Sequence, residues 1–143
     1  MLTVITGAPC SGKSTYARQH AMPGDIIIDF DLIAQALGSP ATHGHDAHTV
    51  EVAAAAWSAA IDRALKEHRK GCRAWIIDSA PVSYRRRLYT EAGARIVNLT
   101  ASRDELHRRA DAGRPPTWHH RIDQYLDSAG RQDPAPAHAR TAW

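Results

Sequence analysis

The chain has little cysteine, a single phenylalanine and very little lysine. Two cysteines, Cys10 and Cys72, cannot build a disulfide framework or a zinc pattern, which predicts a reducing, cytoplasmic setting. No apolar run is long enough to cross a bilayer, and the N-terminus enters a strand-like run at once. Neither a membrane span nor a signal peptide is therefore expected. Lysine occupies three positions against 15 for arginine, and the net charge is only +3. Arginine makes bidentate contacts with phosphate. A genome that favours arginine codons would give the same balance, so the charge is compatible with nucleic acid without requiring it. No internal repeat is visible. A length of 143 residues predicts one domain over 1–129, followed by a flexible tail over 130–143 that is rich in Pro and Ala.

Against these absences one motif stands out. Gly7-Ala8-Pro9-Cys10-Ser11-Gly12-Lys13-Ser14-Thr15 fits the phosphate-binding pattern G-x-x-x-x-G-K-[ST] without a mismatch. It follows the apolar run Leu2–Thr6 and precedes a helix-compatible stretch, the context this loop requires. The alternative, a glycine-rich turn with no ligand, explains neither flank. Gly7 and Gly12 let the backbone turn tightly and approach a phosphate closely. Successive N–H groups then form an anion nest at a positive helix end. Lys13 supplies a mobile cation for the outer phosphates, and the Ser14 hydroxyl is the expected Mg²⁺ ligand. The loop predicts binding of a nucleoside triphosphate, most simply ATP with Mg²⁺. Cys10 reads as a tolerated variable position within it.

Four short apolar runs, at 2–6, 26–28, 74–77 and 96–99, read as buried parallel strands. Helical stretches lie between them. The longest spans about 48–70, with Val50, Ala54, Trp57, Ile61 and Leu65 on one face, Asp46 as N-cap and Gly71 as stop. Others follow Ser83, follow Ser102 with a Ser102/Glu105 capping box, and cover 118–128. Gly38–His45 reads as a loop. The alternation predicts an α/β three-layer sandwich, with a parallel sheet of four or five strands flanked by helices.

In such a fold, ligands sit at the carboxyl ends of the strands. Acidic residues fall there twice, as Asp29-Phe30-Asp31 and as Asp78. Asp78 closes an apolar run as a metal- or water-binding aspartate does; a turn-capping carboxylate is the plainer reading. Either Asp29 or Asp31 can cap the next helix while the other does chemistry. Asp31 is the predicted carboxylate that orients an acceptor hydroxyl and takes its proton, with Asp29 as a further substrate-side residue. Arg109 and Arg114, around a break at Gly113, read as a lid that stabilises charge on a transferred phosphoryl group. Arg108 and Arg109 project about 100° apart, so only one faces the site. Arg85, Arg86 and Arg87 lie between Tyr84 and Leu88-Tyr89, a basic and aromatic stretch able to grip phosphates or, more plainly, to face solvent. His43, His45 and His48 near Asp46 are weak evidence for zinc. Trp57 and Trp75 read as core.

Taken together, these residues resemble the P-loop kinases of the polynucleotide 5′-hydroxyl kinase type, as in phage end-healing enzymes. The likeness runs over most of 2–128: the loop Gly7–Thr15, the acidic Asp29-Phe30-Asp31, Asp78-Ser79-Ala80-Pro81 with an arginine-bearing helix after it, and Glu105-Leu106-His107-Arg108-Arg109 with Arg114 beyond. The resemblance implies ATP and Mg²⁺ as cofactors, Asp31 as general base toward a 5′-hydroxyl, and a nucleic acid end as acceptor. One departure is that Phe30 and Leu32 flank Asp31, where the family often has an arginine. The same skeleton is shared by nucleoside and nucleoside monophosphate kinases, for which Arg85–Arg87 would serve the acceptor phosphate. It also suits NTP-binding modules that hydrolyse ATP without transferring it.

Overall fold

The computed structural model describes residues 1–129 and 140–142. The chain runs β1 (Leu2–Gly7), α1 (Lys13–His20), β2 (Ile26–Ile28), α2 (Phe30–Ala36), α3 (Ala47–His68), β3 (Ala74–Ile77), α4 (Ser83–Glu91), β4 (Arg95–Thr100), α5 (Arg103–Asp111), α6 (Thr117–Ala129) and β5 (Arg140–Ala142). The strands form one sheet in the order β2-β3-β1-β4-β5, and every pairing is parallel. β5 comes from the segment expected as a tail and extends the sheet beside β4. The remainder of that segment lies outside the described residues.

Parallel strands covered on both faces must be apolar nearly throughout, and β1 and β3 are. Strand alternation sorts their side chains to two faces. Leu2, Val4 and Ile76 join Ile28, Ile61, Leu65 and Tyr89 in the core under α3 and α4. Ile5, Trp75 and Ile77 join Tyr16, Ala17, Val97 and Leu99 in the core under α1. A third, smaller cluster, Ala8, Leu106, Ala110 and Ile122, seats the α5–α6 pair beside the start of the phosphate loop. Arg103 on α5 bonds Asp123 and Asp127 on α6, and His107 reaches Asp123 at 3.0 Å, which ties the two helices together.

Helix ends fall where the capping chemistry places them. The Asp46 carboxylate accepts from Thr49 N–H at 3.0 Å to start α3, and Ser102 Oγ accepts from Glu105 N–H at 3.2 Å to start α5. The buried face of α3 carries Ala53, Ile61, Ala64 and Leu65. The predicted Ala54 is exposed, because the helix is rotated so that Ala53 heads the stripe leading to Ile61. Among the described residues no helix is long and apolar enough to cross a membrane.

Winding reverses around β1, which has β3 on one side and β4 on the other. The carboxyl ends of β1, β2 and β3 therefore open into one crevice. Ile76 is wholly buried at the centre of this sheet. Replacing it by Ala is expected to cost about 3 kcal/mol of folding stability, read as a lower denaturation midpoint at unchanged slope.

Candidate active site

The loop between β1 and α1 is built for an anion. Gly12 caps α1 with φ +93° and offers no side-chain hydrogen bond, and no acidic residue occupies the first turn. The N–H groups of that turn are thus left for a ligand. A Cβ on Gly12 would meet nothing within 4 Å, so the cradle in front of it is open space. The Lys13 ammonium folds back over the loop and donates to the carbonyls of Gly7 at 2.9 Å and Ala8 at 2.6 Å. Burial pushes this amine down to about 8 from the ordinary 10.5, although Cys10, Asp29 and Asp31 nearby favour its charge. Burial also raises the Cys10 thiol, against the pull of Arg114, Lys13 and Arg109, so Cys10 remains a neutral thiol at pH 7.

Ser14 is held from the next strand end. Its hydroxyl donates to Asp29 Oδ2 at 2.6 Å, and Asp29 Oδ1 accepts the Asp31 N–H at 3.0 Å. Asp29 is therefore both the N-cap of α2 and the partner of the phosphate-loop serine. Asp78 lines the same cavity but is not bonded to Ser14. It accepts from the Tyr89 hydroxyl at 2.9 Å and lies 3.3 Å from the Arg85 guanidinium. Burial raises its carboxyl above the ordinary carboxylate value, opposed by Tyr89 and by Arg85 and Arg86.

Asp31, the second residue of α2, also faces the cavity, and its two oxygens are taken by two histidines. His43 Nδ1 stands 2.6 Å from Oδ2, and His45 Nε2 stands 3.0 Å from Oδ1. Gly44 between them has φ +72°, a turn that brings both flanking rings back toward one carboxylate. These contacts are direct from ring to carboxylate. No group of three His, Cys, Asp or Glu among the described residues has the arrangement of a metal site.

The arginines divide. Arg109 bonds Glu105 at 2.6 Å and reaches the Cys10 carbonyl at 3.3 Å, so it touches the loop, whereas Arg108 turns to Glu105. Arg114 lines the cavity with its guanidinium 4.6 Å from the Trp118 ring centre and its Nη1 buried without a hydrogen-bond partner. The stretch Arg85–Arg87 does not converge on the cavity. Arg85 covers Trp57 at 4.5 Å beside Asp78, Arg86 donates to the Pro81 carbonyl at 2.7 Å, and Arg87 is exposed. Trp57 packs against the core and also lines the cavity.

Trp118 and Arg121 on the cavity wall carried no site role in the sequence reading, and His43 and His45 figured there only as weak evidence for zinc. Arg121 sits over the Trp118 ring at 5.1 Å, and their spacing of three on a helix is the signal that pairs them. The whole cavity measures about 840 Å³ and runs from the phosphate loop past Asp31 and the histidine loop to Trp118.

A mostly parallel sheet with a phosphate loop after its first strand and carboxylates on the neighbouring strand ends defines a P-loop nucleotide-binding protein of kinase-like fold. The chain belongs to the AAA domain family, which it matches over residues 2–123. Among solved structures it is similar to the tunicamycin resistance protein of Deinococcus radiodurans, with a TM-score of 0.52 at 18% identity, over 93% of this chain and 82% of that one. That likeness concerns the fold. No curated protein sequence matches the chain.

The state of Lys13 gives a pH dependence with a definite sign. Below about pH 8 the amine is charged and ready for phosphate; above it, binding must first take up a proton. Nucleoside triphosphate affinity is expected to fall as pH rises through 8, with proton uptake seen by calorimetry in buffers of different ionisation heat. K13M is expected to abolish binding and the uptake together. In the absence of ligand the sign reverses: a lysine held below 10.5 destabilises the fold when charged, so its contribution improves as pH rises from about 8 to 10.5.

Proposed function

We propose that this protein is an ATP-dependent kinase that transfers the γ-phosphate to a hydroxyl, with the 5′-hydroxyl end of a nucleic acid as acceptor. One observation carries the reading: Lys13 and Ser14 on the donor side and Asp31 on the acceptor side line one cavity. A module that only hydrolyses ATP also needs a group to orient its water, so stimulation of ADP release by an acceptor is what separates the two activities. Lys13 and the loop amides would hold the β- and γ-phosphates. Ser14 and Asp78 would hold Mg²⁺, which supplies charge neutralisation between the phosphates. Asp29 orients Ser14. Arg109 and Arg114 stand at the loop to stabilise charge on the group in transfer. Asp31 and its two histidines form the element that activates the acceptor hydroxyl.

The acceptor is argued from the far wall. Arg114 and Arg121 flank Trp118, a pairing of cation and aromatic ring that suits a phosphodiester next to a base. A monophosphate acceptor would have called on Arg85–Arg87, and those residues are absent from the cavity wall. A smaller hydroxyl compound remains the competing acceptor, since the neighbouring fold belongs to a tunicamycin resistance protein.

The test is transfer of label from γ-labelled ATP to an oligonucleotide with a free 5′-hydroxyl, run beside nucleosides and nucleoside monophosphates. Labelling of the oligonucleotide is expected, with D31N slower by about 10²- to 10⁴-fold. Labelling of a small acceptor alone would overturn the nucleic-acid assignment. ADP release that no acceptor stimulates would overturn the kinase itself.

A further inference from the structure

The kinase reading leaves open which atom receives the acceptor proton. We propose that it is His43 Nε2, and that Asp31 is the positioning residue that holds the His43 ring. The inference rests on the kinase reading and goes beyond it.

The hydrogen bonds assign the roles. An ionised carboxylate only accepts, so a ring nitrogen bonded to it must carry the hydrogen. His43 Nδ1, at 2.6 Å from Asp31 Oδ2, is therefore N–H. In the neutral ring Nε2 is then the nitrogen with the lone pair, and among the described residues it has no hydrogen-bond partner. The ring is about a quarter exposed, lines the cavity, and is braced by Trp118, whose ring centre lies 5.8 Å away nearly at right angles. A base fixed through one nitrogen by a carboxylate, with the other nitrogen open to substrate, is the arrangement that general-base catalysis by imidazole requires.

His45 is different. Its Nε2 faces Asp31 at 3.0 Å, its Nδ1 is bonded to Ser39 Oγ at 2.7 Å, and its side chain is only 2% exposed. Both nitrogens are spent, so His45 anchors Asp31 and cannot serve the acceptor. Asp31 already has one ring nitrogen on each oxygen, so both of its oxygens are committed to holding the rings.

The step balances as an in-line displacement. The acceptor oxygen forms a bond to the γ-phosphorus and its proton passes to His43 Nε2. The bond from that phosphorus to the β,γ-bridging oxygen breaks, and the electron pair leaves on the oxygen of ADP.

Imidazole rescue separates the two roles. H43Q and H43A are expected to lose about 10²-fold in kcat with KM for ATP changed less than about twofold. Added imidazole is expected to restore part of the H43A rate and none of the D31N rate. H45Q is expected to be the milder variant. Thermal unfolding of each confirms that the fold is retained. The proposal is overturned if folded H43Q and H43A keep the wild-type kcat while D31N does not, or if imidazole leaves H43A unchanged. Either result would leave Asp31 as the base and the kinase intact. Failure of the kinase reading would look different, since wild type would then release no acceptor-dependent ADP.

Discussion

The buried carboxylate of Asp29 is the constraint on which the site depends. A carboxylate removed from water is costly unless its oxygens are hydrogen-bonded. Asp29 meets that condition by accepting the Ser14 hydroxyl on one oxygen and the Asp31 N–H on the other. The first bond clips the end of β2 to the start of α1. The second starts α2 in the direction that carries Asp31 toward the phosphate loop. The phosphate loop and Asp31 follow different strands, and Asp29 is the contact that sets one against the other.

Two electrostatic environments face each other across this clip. At the phosphate loop a buried lysine hydrogen-bonds only carbonyl oxygens, with Asp29 and Asp31 acting on it from a distance. It has no carboxylate in direct ion-pair contact, so an incoming phosphate meets a charge that the protein only partly balances. On the acceptor side the order is reversed: a carboxylate is supplied with two imidazole rings and a turn that holds them. The Arg114–Trp118–Arg121 group closes the far wall, carried on α6 and on the turn before it. The family match reaches only to residue 123, which takes in this wall.

Much of the fold was legible in the sequence because its signals are local. The four strand runs, the Asp46 and Ser102 caps and the phosphate loop each depend on residues within a few positions of one another. The rotation of α3 that buries Ala53 in place of Ala54 was not legible, since alanines occupy 53 to 56 and the docking of the whole helix chooses among them. Arg109 and Arg114 were read as a lid over the transferred phosphoryl group; Arg109 reaches the Cys10 carbonyl and Arg114 lies over Trp118 on the cavity wall. The run Arg85–Arg87 was less informative. Three adjacent residues on a helix point three ways, so one covers Trp57, one meets a carbonyl and one faces solvent.

By itself the sequence determined the parallel α/β architecture and the phosphate loop, because strand burial and an anion nest are properties of contiguous residues. Only the tertiary structure decided what surrounds the acceptor. It gave Ser14 to Asp29 while turning Asp78 toward Tyr89, and it folded the loop at Gly44 so that His43 and His45 meet Asp31, 12 and 14 residues distant. Hydrogen bonds across such separations depend on how whole elements dock, and no local pattern encodes that. The scarce lysine is the counterpart: Lys13 needs nothing beyond its own loop to be recognised, and so one of only three lysines identified its site first.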